Sequence, residues 1–532
     1  MKKFLALLLA VLMVLSMAAC NQDEQPKQTE GEKTPAQTQP KETEATEPKP
    51  KEPVTITYWY ANNVGEQQYT EQVEEKLAQI LDGIEGYEHI TMDLRPMGKG
   101  VAQNFTLAQS GGEQIDLVSL YSLDPTTMVQ NGDLIPLDDL LAKYPNVTSE
   151  LPGWLVDMGK LWGEQYFIPT YQQATTMYYW QFPADYLDIY LTEKRITKDQ
   201  FRETLQCGIL KVVFDTLEDF TLTVREKTGK TLYCSGSTEL ALYLSQEYLG
   251  SNYGDLVLRE GETEVKWNGL TEDVKYIVSR LADWYERGLV HPDMGTIKEK
   301  EIRKLWGEDG SMAYHYNANV ATEEMMDEIY AAENLVSIQC RDHYYVPSVY
   351  AAKGVGIYAD CEHPEEAMMI LELLNTEKGK EFYNTLVWGL EDIHWKWVDQ
   401  DAGRIETLEY SGSQGGSTSS YHAWKWNVGN SFNAWDNQAS RPGQNEYILS
   451  VHDGETTVTS PAMGMVWDLS AVSNEVAQCN AIKTEYSYVS MYISGDWEAR
   501  YNEMVEKLKT AGVQTIIDNL QAQFDEFVSN KK

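Results

Sequence analysis

Side chains suited to holding a small ligand stand out in this sequence more than side chains suited to transforming one. Flat rings and planar amides follow several short apolar runs: Trp59, Tyr60 and Asn62 after the first, Tyr121 after the third, and Tyr171 with Gln172 beyond Pro169. Further along come Tyr314, Tyr316 and Asn317, then Trp388 with Glu391, and then Trp435 and Trp467. A ring offers an apolar face to the C–H face of a sugar, while amides and carboxylates meet its hydroxyls, so this set predicts carbohydrate binding. Rings also fill cores. For Trp59 the alternative is a core cap. Alternation places Tyr314 and Tyr316 on one strand face, and the opposite face could equally be the functional one. Trp388, beside Gly389, also suits a helix end, and Trp424-Lys425-Trp426 reads as packing.

Catalysis finds little support. No Gly-x-Ser-x-Gly, His-Glu-x-x-His or phosphate-binding loop is present. With 82 Asp and Glu residues, carboxylate pairs arise by chance and carry no weight. Beyond Cys20 stand Cys207, Cys234, Cys340, Cys361 and Cys479, an odd number at wide, irregular spacing that does not form a disulfide framework. Cys340-x-x-His343 and Cys361-x-His363 lack zinc-ribbon spacing. No metal or other cofactor is expected, and no enzyme.

The N-terminus gives an address. Lys2 and Lys3 precede an apolar run from Phe4 to Leu15, which is too short to span a bilayer, a task for about 20 residues. Ser16-Met17-Ala18-Ala19-Cys20 then resembles the lipobox of bacterial lipoproteins, with Met17 where Leu is usual. The resemblance implies a signal peptide at 1–19, lipidation of Cys20 and a place on the extracytoplasmic face of the cell membrane. Residues 21–53 are built of Gln, Glu, Lys, Thr and Pro with no aromatic residue, so they are expected to be a disordered tether.

The body from Val54 onward exceeds what one core usually supports, so at least two lobes are expected. A formal charge of −39 argues against nucleic acid and anionic membrane as partners. Val54–Trp59 alternates as a strand, Tyr69–Leu81 has helical spacing, and Ile90–Leu94 is a second strand. Asn104–Gln109 is a second helix and Ile115–Leu120 a third strand. This order predicts a parallel α/β sheet, whose ligands bind at the carboxyl ends of its strands.

Leu134-Ile135-Pro136-Leu137-Asp138-Asp139-Leu140-Leu141, followed by Gly163-Glu164-Gln165-Tyr166-Phe167-Ile168-Pro169, resembles a passage of the carbohydrate-binding proteins of ABC importers. Leu217-Glu218-Asp219-Phe220 is similar to a helix start of that class, and Leu281 to Asp293 to its Trp…Gly-Leu…Pro-Asp signature. His363-Pro364-Glu365-Glu366-Ala367 with Leu371 to Asn375 continues the likeness. Trp388 to Trp395, Trp426 to Asn430 and the tail from Val466 to Phe527 resemble a lipoprotein subgroup with its own C-terminal region, of the aldouronate or multiple-sugar type. Residues 395–421 depart from it and look like this chain's own loop.

The resemblance implies a two-lobed periplasmic-binding-protein-like α/β fold with a hinge and an interlobe cleft. One lobe holds 54–168 plus 344–375, the other 170–342 plus 376–532 with the C-terminal helices. The implied function is capture of an oligosaccharide and its delivery to ABC transporter permease subunits by a monomer. The alternatives are a binding protein for another solute, such as a peptide, or a surface glycoside hydrolase.

Overall fold

The computed structural model describes residues 51–62, 65–98, 100–236, 246–249, 255–297, 301, 305, 312–347, 353–408, 421–452, 454–455, 457–465 and 467–530. The signal segment, Cys20 and nearly all of the tether lie outside them, as does most of the Gly/Ser-rich stretch before Tyr421.

A five-stranded sheet carries the first half of the architecture. Strands β1 (Val54–Ala61), β2 (Ile90–Met97) and β3 (Leu117–Ser119) run parallel, with β1 in the middle of the three. The strand Gly354–Ile357 lies antiparallel to β3 and to Phe167–Pro169, completing the sheet. Period-2 alternation along β1 sorts its side chains between two faces. Ile56, Tyr58 and Tyr60 enter one apolar core, while Trp59 and Ala61 enter another.

Helix α1 (Thr70–Asp82) follows β1 because Val73, Leu77 and Leu81 recur every fourth residue and cover the Tyr58 face. Burial of each such side chain stabilises the fold by roughly 1.5–3 kcal/mol. Helix α2 (Val101–Gly111) covers the other face with Val101, Phe105 and Ala108, and reaches beyond the expected span. Strand β3 is shorter than expected.

A second sheet is antiparallel, with Tyr178–Pro183 between His315–Ala318 and Leu335–Gln339. Its core joins Trp180, Phe182, Phe201, Phe220 and Trp284 to Leu508, Ile516, Leu520 and Phe524 from the C-terminal helices. Leu217–Phe220 lies inside the helix Leu210–Thr228, not at a helix start, because Leu217, Phe220 and Val224 continue its buried stripe. Asp255, almost fully buried, ties that tail down: it accepts from the Gly269 amide (2.8 Å) and Tyr488 Oη (2.7 Å) and pairs with Lys483 (3.0 Å).

Residues after 376 divide between the cores, whereas the sequence reading assigned 376–532 to the second lobe. Phe382, Tyr383, Leu386, Trp388, Trp395, Tyr421 and Val428 pack into the Tyr58 core. The helix Lys380–Trp388 follows Pro364–Asn375 after one short turn, so it stays on the same side and packs against α1. All five described cysteines are free, and no helix among the described residues is long and apolar enough to cross a membrane.

Candidate ligand-binding site

The carboxyl ends of β1, β3 and Phe167–Pro169 open onto one edge of the five-stranded sheet, where a parallel α/β sheet takes its ligand. The segment 421–435 lies across that edge and is pinned from several sides. Tyr421 Oη donates to the Leu386 carbonyl (2.9 Å), the Ala423 amide to Val387 (3.0 Å), and Asn384 bonds both Asn433 and Trp435. Ser119 Oγ, at the end of β3, donates to the Asn427 carbonyl (3.1 Å). Gly429 permits the approach: an added Cβ would overlap the Leu374 carbonyl at a helix end, where the Asn430 amide also bonds (3.0 Å).

Two aromatic groups result. Tyr121, half-buried beyond β3, meets Trp424 edge-on at 5.2 Å, and Trp424 stacks with the half-buried Trp426 at 6.3 Å and 25°. Tyr171, also half-buried, meets Phe432 edge-on at 4.8 Å and the His452 ring at 5.7 Å, while its carbonyl accepts the Ser431 amide (2.7 Å). Gln172 follows, half-buried. Within this edge Asn427 is 1% exposed, and among the described residues neither of its amide atoms nor Trp424 Nε1 has a hydrogen-bond partner. Each buried polar group left this way costs about 1–3 kcal/mol.

The other sequence candidates fall elsewhere or act differently. Trp59 packs with Phe105, Val118 and Trp424, and its indole N–H donates to the Gln114 carbonyl (2.9 Å), which is the core-cap arrangement. Tyr60 is fully buried between Tyr58 and Tyr421, and burial pushes its phenol pKa up. Asn62 shapes the turn after β1: its Nδ2 donates to Gly65 O (2.9 Å), its Oδ1 accepts the Gly65 amide (2.6 Å), and it reaches Gln67.

Tyr314, just before the strand His315–Ala318, is buried in the second core against Trp180 and Phe182. Tyr316 and Asn317 pair through their backbones with Trp180 and Tyr179, and their side chains lie outside the description. Trp388 closes its helix inside the first core, and Glu391 is exposed on the turn that follows. Trp435 packs on Trp397 (4.5 Å) and Trp395 (4.7 Å), beside a two-stranded hairpin. Trp467 stacks on Phe524 in the second core.

The sequence singles out neither Asn427 nor Phe432 and reads Trp424 and Trp426 as packing; Trp424 does pack in the core with Trp59, whereas Trp426 is half-buried at the candidate edge. Their one local signal is Gly429, which allows the segment to lie flat on a helix end.

Two segments that link the sheets also meet. Thr176 and Tyr345 bond backbone to backbone, and the Ala174 amide donates to His452 Nε2 (2.9 Å). The strand Tyr344–Val346 pairs in parallel with Thr457–Thr459.

Comparison with known proteins extends this picture. Residues 461–529 match a family described as Domain of unknown function (DUF3502). A carbohydrate ABC transporter substrate-binding protein of Streptococcus pneumoniae serotype 4 is 28% identical over 173 residues, 32% of this chain. That match spans 33% of the relative's own length. Among solved structures, the N-glycan transport solute binding protein NgtS of Streptococcus pneumoniae superposes with a TM-score of 0.68 at 18% identity, covering 90% of this chain and 100% of that one. It has also been solved in complex with Man1GlcNAc and with Man5GlcNAc. An extracellular solute-binding protein from Bifidobacterium longum subsp. infantis gives 0.58 at 13% identity, covering 90% of this chain and 99% of that one. The chain has the two-lobed α/β fold of the extracellular solute-binding proteins.

Proposed function

We infer that this protein captures an extracellular oligosaccharide in a cleft between its lobes and delivers it, unaltered, to the permease of an ABC importer. The observation that carries the reading is the aromatic edge at the carboxyl ends of the sheet: Tyr121, Trp424 and Trp426 on one side, Tyr171 and Phe432 on the other. Rings in this arrangement suit sugar faces, and the neighbouring amides of Asn427 and Gln172 suit hydroxyls. The names of the relatives support the same solute class. Asn62 belongs to the frame of this site and Trp59 to the core beneath it.

Closure around the solute uses the segments that meet at Thr176 and Tyr345, which divide the chain between a lobe built on the five-stranded sheet and one built on the antiparallel sheet. Hinge motion there excludes water from the sugar and presents a new surface to the permease. Lipidation of Cys20 keeps the body beside that permease, since each buried CH₂ contributes about 0.8 kcal/mol of membrane affinity.

Titration calorimetry of the full chain against a panel of oligosaccharides tests the reading. Saturable binding with recovery of unmodified sugar is the expected result. Binding confined to peptides, or release of hydrolysed sugar, overturns it. For the anchor, Cys20→Ala shifts the protein from the membrane to the soluble fraction, and equal membrane retention of the variant removes the lipoprotein assignment.

A further inference from the structure

The helix Gln444–His452 touches both segments that link the sheets and ends among the rings of the candidate site. Ile448, Val451 and His452 share one of its faces, since residues three and four apart are neighbours on a helix. Ile448 and Val451 pack with Met177, Tyr179 and Val320 at the antiparallel sheet. The Tyr447 hydroxyl shares a 2.6 Å hydrogen bond with that of Tyr344, which opens the returning segment. At the helix end, His452 Nε2 accepts the Ala174 amide of the outgoing segment (2.9 Å).

The His452 imidazole is buried and meets three rings: Tyr171 at 5.7 Å, Phe432 at 5.9 Å and Trp154 at 6.4 Å. Phe432 and Trp154 approach it edge-on. Tyr171 and Trp154 pack against the core of the five-stranded sheet, whereas Phe432 packs with the helix. The imidazole thus stands where two apolar clusters meet, and both members of the ring pair Tyr171–Phe432 rest on it. Those two rings are half-buried, so each keeps accessible surface for a ligand. A ring that must be ordered on binding gives up part of its contact energy to lost side-chain freedom, and a ring held beforehand does not.

We propose that His452 is a positioning residue of the solute site: its imidazole fixes the Tyr171 and Phe432 rings at one angle to each other, and its bond to Ala174 ties that angle to the linking segments. His452 touches no solute and acts through the two rings. The role rests on the carbohydrate reading for the nature of the solute, whereas the ring order exists in the empty protein as well.

Substitution separates the ring of His452 from its acceptor. His452→Phe keeps a ring without the acceptor, His452→Gln keeps an acceptor without the ring, and His452→Ala keeps neither. Two measurements on the full chain test the role. Fluorine NMR of protein labelled with para-fluorophenylalanine follows the Phe432 signal, assigned in each background by Phe432→Leu. Titration calorimetry measures Kd for whichever of maltotetraose, mannotetraose, xylotetraose and cellotetraose the wild type binds most tightly.

In the empty protein the Phe432 signal moves towards that of a solvent-exposed ring in His452→Ala and His452→Gln, and stays near wild type in His452→Phe. Kd rises about fivefold or more in the Ala and Gln variants. His452→Phe recovers most of that loss, although without the Ala174 acceptor it melts below wild type. A residue that serves the fold alone gives the opposite order, with affinity following stability and His452→Gln nearest to wild type; that order overturns the proposal. An unmoved Phe432 signal in His452→Ala overturns it too. Wild type that binds none of these sugars, nor any glycan on an array, removes the carbohydrate reading, and the fluorine signal still decides the role of His452.

Discussion

The backbones of Thr176 and Tyr345 pair across the two segments that link the sheets: the Thr176 amide donates to Tyr345 O at 2.7 Å, and the Tyr345 amide returns to Thr176 O at 3.3 Å. One residue pair thus ties together the outgoing and returning chain between the two sheets. His452 supports it from a third direction by accepting the Ala174 amide.

His452→Ala therefore leaves a buried N–H without its acceptor and lowers stability by about 1–3 kcal/mol. Urea unfolding measures this. His452→Gln, whose side-chain carbonyl reaches the position of Nε2, recovers part of the loss, and equal stability of all three proteins contradicts the role.

Trp59→Ala reads the core. Its ring packs among Phe105, Val118 and Trp424, so its removal costs about 3–5 kcal/mol of stability. Affinity of the folded fraction stays near wild type. A large loss of affinity with an unchanged melting temperature returns Trp59 to the ligand.

Trp426→Ala is the opposite case. The ring is half-buried and stacks on Trp424 without closing a core, so the empty protein melts near wild type. Oligosaccharide affinity falls by more than about 1 kcal/mol, or at least fivefold in Kd. Calorimetry on the same preparation supplies both numbers, and unchanged affinity removes Trp426 from the site.

His343 gives a pH signature. Burial by itself lowers its pKa, but hydrogen bonds to Glu260 and Asp342 outweigh it and hold the folded value above the ordinary 6.5. A raised folded pKa means the stabilisation is complete below pH 6.5 and is lost as pH rises through the folded value. His343→Gln should thus differ from wild type most in acid and least in alkali. Thermal melts across pH 5.5 to 8.5 check the sign, and a difference that grows with pH contradicts it.

Period-2 alternation in Val54–Trp59 and the fourfold spacing of Val73, Leu77 and Leu81 specified β1 and α1 without reference to anything distant. Those are local properties of backbone geometry, and the sequence carries them in full. Local pattern also located the strand ends, which is why Tyr121 and Tyr171, which the structure sets along the candidate edge, stand out in the sequence.

It left open which face of a strand is inward, because a face is defined only by what packs on it. Tyr314 and Trp59 accordingly look like ligand platforms in the sequence and are core residues in the structure. Trp424 and Trp426 show the converse. They stand more than 300 positions from Ser119 and Tyr121 and reach them because the segment is pinned to Leu386 and Val387 and, at Gly429, lies on Leu374. The sequence by itself determined the elements and the ring-rich character of their ends. Tertiary structure alone decided which rings share one edge, because that depends on contacts between residues far apart in the chain, which no local periodicity encodes.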